Sequence, residues 1–182
     1  MILPIVAYGN DILRETCIPA ENTPETQKLI DNMIDTLAQI PTGVGLASVQ
    51  VNSNLAIFLA RLGNNVMVHI NPLIRKRRGV QKSMEGCLSI PEINALVPER
   101  DDIIDIISYD RNFKEQKFKL RGFDSIIFQH EYHHLNGILF TDLLTKEGKE
   151  SVKDKLSEIE KGNFKSRYSM IMPPLSTLAD SL

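Results

Sequence analysis

Gln129-His130-Glu131-Tyr132-His133-His134-Leu135-Asn136-Gly137 decides how this chain is read. It contains the pattern H-E-x-x-H at His130, Glu131 and His134. A helix is predicted from about Asp124-Ser125, stopping at Gly137, a residue suited to the position just past a helix end. Four residues advance a helix by roughly 400°, so His130 and His134 lie on one face, one turn apart. Both imidazoles can then reach one ion, while Glu131 points to the flank, where it can touch a water held by that ion. The chain has 4 histidines, and three of them crowd into this segment, which favours a built site over a scattered polar face.

Upstream, Thr23-Pro24-Glu25 reads as an N-cap, a proline at the first helical position and an acidic first turn. Leu29, Ile30, Met33, Ile34 and Leu37 then recur at helical spacing to about Ile40, and Pro41-Thr42-Gly43 ends that helix. Leu55–Leu62 and Val66–Asn71 read as strands joined at Gly63-Asn64-Asn65, and Ile103–Tyr109 and Glu115–Leu120 as a hairpin around Asp110-Arg111-Asn112. A last helix, about Lys146–Lys161, aligns Val152, Leu156 and Ile159. A helix, a run of strands, then helices predicts an α+β fold. The chain is expected to be a single domain over 1–168, with a loosely held tail over 169–182.

At 182 residues, 42% hydrophobic and 24% charged, the chain has the composition of a globular domain. Its 21 basic and 23 acidic residues leave a net charge of −2, without the basic excess of a dedicated nucleic-acid binder, so DNA is not an expected partner. No apolar run approaches the ~20 residues of a membrane span. Met1-Ile2-Leu3-Pro4-Ile5 lacks the basic and apolar regions of a signal peptide. Two cysteines, Cys17 and Cys87, are too few for a disulfide scaffold. The expectation is a cytoplasmic protein with reduced thiols.

A catalytic site of this type needs a third protein ligand and an open position. A histidine six residues after His134 would supply one, but that position is Phe140. A carboxylate on a later helix, Glu158 or Glu160, would make a thermolysin-like peptidase. Cys87, in Glu85-Gly86-Cys87-Leu88-Ser89, would bring a thiolate.

Three segments in order carry a resemblance: Gly43-Val44-Gly45-Leu46-Ala47-Ser48-Val49-Gln50, then Glu85-Gly86-Cys87-Leu88-Ser89, then Gln129 to Gly137. Together they resemble the signature motifs of the peptide deformylases. The likeness runs from Ile2-Leu3-Pro4 through Ile70-Asn71-Pro72 to Phe140-Thr141-Asp142. It departs from the family at Ser48, usually alanine, and at His133, usually acidic. A family arginine that contacts the substrate backbone aligns with Glu99, whereas here Arg100 stands one place on. In a regular strand that shift turns the side chain to the other face, which a bulge would reverse.

The resemblance implies antiparallel and mixed sheets packed around a central helix carrying the motif, with an N-terminal and a C-terminal helix. It implies Cys87, His130 and His134 as ligands of one divalent metal, Fe(II) by family, with Zn, Ni or Co as substitutes. Glu131 would be the general base. Gln50 and the Leu88 N–H would stabilise the developing oxyanion as the formyl group leaves an N-formylmethionyl nascent peptide. Val44, Gly45, Ile126 and Ile127 would contact substrate, partly as a slot for methionine. A monomer is expected. The run Arg75-Lys76-Arg77-Arg78 reads as a solvated strand end or turn, and it and the lysines of the last helix are the candidate ribosome contacts. His133 is expected beside the site or facing solvent rather than on the metal, His69 and Cys17 in structural roles. A peptide-binding protein that keeps the fold without turnover is the non-enzymatic alternative.

Overall fold

The computed structural model describes residues 1–63 and 65–174. The first helix, α1 (Pro24–Ala38), starts as its sequence dictates: the Thr23 side chain accepts from the Thr26 N–H at 3.2 Å, and Pro24 opens the helix. Its Ile30, Met33 and Leu37 are buried. After it come β2 (Gly45–Ala47), β3 (Ile57–Leu62) and β4 (Asn65–Arg78). With β7 (Ile103–Tyr109) and β8 (Glu115–Arg121) they form a five-stranded antiparallel sheet in the order β2-β3-β4-β7-β8.

Strand β3 explains how this sheet is covered. Successive side chains of a strand point to opposite faces. Ile57 and Leu59 join Ile30, Met33 and Leu37 of α1 in one apolar cluster. Phe58 and Ala60 join the other, with Ile127 and Phe128 of α2 (Gly122–His134). The sheet therefore lies between the two helices, and β3 is apolar without alternation because both its faces are buried.

A second, two-stranded sheet pairs β5 (Gln81–Cys87) with β6 (Ile90–Arg100). A bulge separates the pairs Gln81↔Arg100 and Ser83↔Val97, placing one extra residue on β6. The third sheet joins the two ends of the described chain: after α3 (Lys146–Glu160), β9 (Met170–Ile171) runs parallel to β1 (Ile5–Val6).

Several expectations need correcting. The motif helix begins at Gly122 and ends at His134. It stops short of Gly137 because the Cys17 N–H takes the Leu135 carbonyl at 2.9 Å and the chain turns back on the His133 carbonyl. Strand β4 continues past Asn71, which adopts φ 48 at a register shift between Ile70 and Leu73 that accommodates Pro72. The basic run is the end of that strand, with Arg77 on Asp101 and Arg78 on Asp105. The strands β5 and β6 were not expected. Within the proposed tail, Met170 and Ile171 are paired, and 175–182 lie outside the described residues, as does Asn64 of the predicted turn.

Candidate metal centre

Cys87 ends β5, where its pairing with Ile90 leaves Leu88 and Ser89 as the turn. This turn lies over α2. The ligand atoms of Cys87, His130 and His134 all lie within 4.8 Å of one another. Cys87 Sγ is 3.2 Å from His134 Nε2. One ion with bonds of ~2.0–2.3 Å fits such a trio. Among the described residues these three form the one such His, Cys, Asp and Glu group. Glu158 and Glu160 are exposed on α3, Glu158 is bound to Lys161 and Asn163, and neither belongs to the donor group of the histidines. Both cysteines are free.

The surroundings orient the donors. Glu85, two residues before Cys87 on the same strand face, accepts from His130 Nδ1 at 2.9 Å. That bond directs Nε2 of the ring toward the sulfur. Arg100 Nε and Nη2 each donate to Glu85 at 2.7 Å, and Nη1 meets His133 Nδ1 at 2.8 Å. A guanidinium has no acceptor, so His133 accepts through Nδ1 and takes no part as a ligand through that atom. The β6 bulge therefore turns Arg100 inward while Glu99 stays exposed, and the guanidinium is bound within the protein rather than offered to a substrate backbone.

Charge follows from these contacts. Burial opposes ionisation of Glu85, but the bonds from Arg100 and His130 outweigh it and hold its pKa down to about 2. Burial likewise opposes a charge on His130, yet Cys87 and Glu85 raise its pKa to about 10. Cys87 and Glu85 thus both favour positive charge at this point of the pocket. Burial, with the neighbouring positive groups, holds His134 neutral, and burial and Arg100 lower His133 to about 4.

Glu131 is buried, and its Oε2 has no hydrogen-bond partner among the described residues. Burial raises its pKa to about 7. Gly45 makes room for it: a Cβ there would collide with the Glu131 carboxylate. Gln50 sits in a 3-10 turn and is fixed at both ends of its amide. Its Oε1 accepts from the Ala47 N–H at 2.8 Å, which turns Nε2 toward Cys87 Sγ at 3.4 Å and Ser89 Oγ at 3.3 Å. Ile127 belongs to the apolar core, whereas Ile126 is buried outside both core clusters and Val44 is 38% exposed. The Ser48 hydroxyl is satisfied by the Leu55 carbonyl and lies 4.0 Å from Cys17.

A family model described as polypeptide deformylase matches residues 2–150. The chain belongs to the polypeptide deformylase family. A peptide deformylase of Salinibacter ruber is 38% identical over 94% of this chain and 95% of its own length. One of Karelsulcia muelleri is 42% identical over 78% of each. The peptide deformylase structure from Thermus thermophilus superposes with a TM-score of 0.83 at 31% identity, covering 90% of this chain and all of that one. Deformylases are metal-dependent enzymes that remove the formyl group from nascent peptides, and this family assignment carries that reaction and the α+β fold to the present chain.

Two parts of this deformylase site escaped the sequence reading. Glu85 stands two residues before Cys87, a strand spacing that places both on one face and is the signal that marks it. Tyr168, whose hydroxyl donates to the Leu88 carbonyl at 2.8 Å, follows the matched segment and carries no motif.

Proposed function

We propose that Cys87, His130 and His134 hold the metal and that Glu131, Gln50 and Leu88 carry out the deformylation. The observation that supports this most is the convergence of the three donor atoms within 4.8 Å beside a buried carboxylate with a free oxygen. When bound, a divalent ion there supplies Lewis acidity and lowers the pKa of water toward neutrality. Mixed sulfur and imidazole donors accept several metals. Fe(II) is the native ion in this reading, with Zn, Ni or Co as substitutes.

Glu131 accepts the proton of the attacking water and returns it to the departing amine, releasing formate. Burial raises the pKa of this carboxyl, which favours its taking up the proton. The Gln50 Nε2 group, held toward Cys87 by the Ala47 N–H, donates to the formyl oxygen as charge develops on it. The Leu88 N–H donates to the same oxygen. The peptide lies along Val44 and Gly45, and Ile126 lines the methionine slot, while Ile127 backs it from the core. The protein acts as a cytoplasmic monomer built of one catalytic domain, which extends beyond residue 168 to include β9. The ribosome is a further partner in this reading, through Arg75 and Lys76 of the basic strand end, and salt-sensitive cosedimentation with ribosomes tests it.

The deciding experiment measures formate release from formyl-Met-Ala-Ser and metal content together. Cys87→Ser loses the metal, and Glu131→Ala keeps it while abolishing turnover. Turnover retained in Glu131→Ala would remove that residue from its role. Metal retained in Cys87→Ser would remove the sulfur from the ligand set. Absence of formate from the fully loaded wild type would favour the peptide-binding alternative.

A further inference from the structure

The Cys87-Leu88-Ser89 turn is held by three separate parts of the chain. Gln50 Nε2 reaches Cys87 Sγ and Ser89 Oγ at 3.4 and 3.3 Å. The Tyr8 N–H donates to the Ser89 carbonyl at 2.8 Å. The Tyr168 hydroxyl donates to the Leu88 carbonyl at 2.8 Å. Tyr8 and Tyr168 come from opposite ends of the sequence. They meet at the turn because β1 and β9 pair in parallel, Ile5 opposite Met170 and Val6 opposite Ile171.

Tyr168 is itself fixed. Its N–H donates to Ser166 Oγ at 3.2 Å, and that hydroxyl donates to the Tyr168 carbonyl at 2.8 Å. Its ring packs against the apolar cluster that also receives Leu88. The family model ends at residue 150, so Tyr168 lies beyond the part of the chain that it describes.

We propose that Tyr168 is a positioning residue for deformylation: by holding the Leu88 carbonyl it fixes the backbone of the turn and aims the Leu88 N–H at the formyl oxygen. The inference rests on the reading of that N–H as an oxyanion donor. A peptide carbonyl locked in place fixes ψ of its residue, and with the strand end fixed on the other side little freedom remains in the N–H direction. Backbone donors act in catalysis only when aimed before the charge appears. Burial holds the Tyr168 pKa up to about 12, so the hydroxyl remains a donor at every working pH. A phenylalanine would fill the same apolar space and leave the Leu88 carbonyl without this donor. Tyr168 acts through Leu88 and touches no reacting atom.

The test is Tyr168→Phe in the metal-loaded enzyme, with formyl-Met-Ala-Ser as substrate. The expected result is a kcat about 10-fold lower with KM unchanged, less than the ~10²–10³ lost when an oxyanion donor is removed outright. In cobalt-loaded protein the visible spectrum stays that of wild type, because the ligand set is intact. An unchanged kcat with a lower melting temperature would make Tyr168 a structural residue and overturn the proposal. So would a changed cobalt spectrum, or a rise in KM alone. Glu131→Ala is assayed alongside. If it is inactive while Tyr168→Phe is fully active, the site reading stands and the positioning role falls. If it turns over normally, the site reading falls and takes the positioning role with it.

Discussion

At the scale of single residues, the centre depends on what stands just behind its ligands. Glu85 receives three hydrogen bonds, two from Arg100 and one from His130, and both it and Arg100 are almost fully buried. Removing one partner of a buried ion pair strands the other charge away from water, at a cost of about 3–5 kcal/mol. Arg100→Met should therefore destabilise the fold by that amount in urea unfolding at pH 7. It should also weaken metal binding about 10–100-fold in chelator competition, because a Glu85 no longer anchored by Arg100 holds the His130 ring less firmly. Wild-type metal affinity in a folded Arg100→Met protein would show that His130 is oriented by other contacts. The sequence carried Arg100 as a displaced residue but could not say where it went. The answer lies in one extra residue on β6, a backbone feature that leaves no mark in composition.

At the scale of elements, α1 and strand β7 were legible because each repeats its own period. Strand β7 alternates buried Ile104, Ile106 and Ser108 with partly exposed neighbours, and α1 carries a cap and an apolar stripe. The β5–β6 hairpin was illegible for a physical reason. The inward positions of β5 include Ser83 and Glu85, polar residues that in isolation read as surface, and β6 contains Pro91 and Pro98. Its inward side chains serve the site and the ion pair rather than a purely apolar core. The motif helix was placed correctly but drawn too long at its C-terminal end. There, Gly137 adopts φ 67, and a Cβ would run into the Arg14 backbone. Gly137→Ala should therefore cost more than about 1 kcal/mol, since the left-handed backbone and the collision add. Because this loop anchors the end of α2 next to His134, the variant should also release metal faster. A melting temperature equal to wild type would mean that the Arg14 segment simply moves aside.

At the scale of the whole molecule, two helices on opposite faces of one sheet leave the middle of that sheet dry, and His69 is buried there. Its Nδ1 lies 2.8 Å from Ser108 Oγ, which Gln116 Nε2 also approaches at 3.1 Å. Gln116 donates to that oxygen, and the other ring nitrogen, Nε2, has no hydrogen-bond partner among the described residues. Phe58, Phe118 and Phe128 surround the ring, and among the described residues no charged group is bonded to it. Burial lowers its pKa from 6.5 to about 4. A base whose pKa falls on folding takes up more protons when unfolded, so its contribution is complete above about pH 6.5 and declines toward pH 4. Through linkage that contribution is worth roughly 3 kcal/mol in total, about 2 of it already lost at pH 5. Glu85 does not enter this window, since its contribution is kept down to about pH 4.5 and lost only as the pH falls through its folded value of about 2. His133, lowered to about 4, adds a share of the same sign from the edge of the metal site. His69→Leu, compared with wild type at equal metal loading, isolates the central share. Its unfolding free energy should fall less than that of wild type between pH 7 and pH 5, by roughly 2 kcal/mol. Parallel pH profiles for the two proteins would mean that acid sensitivity begins at the metal site and not at the centre of the sheet.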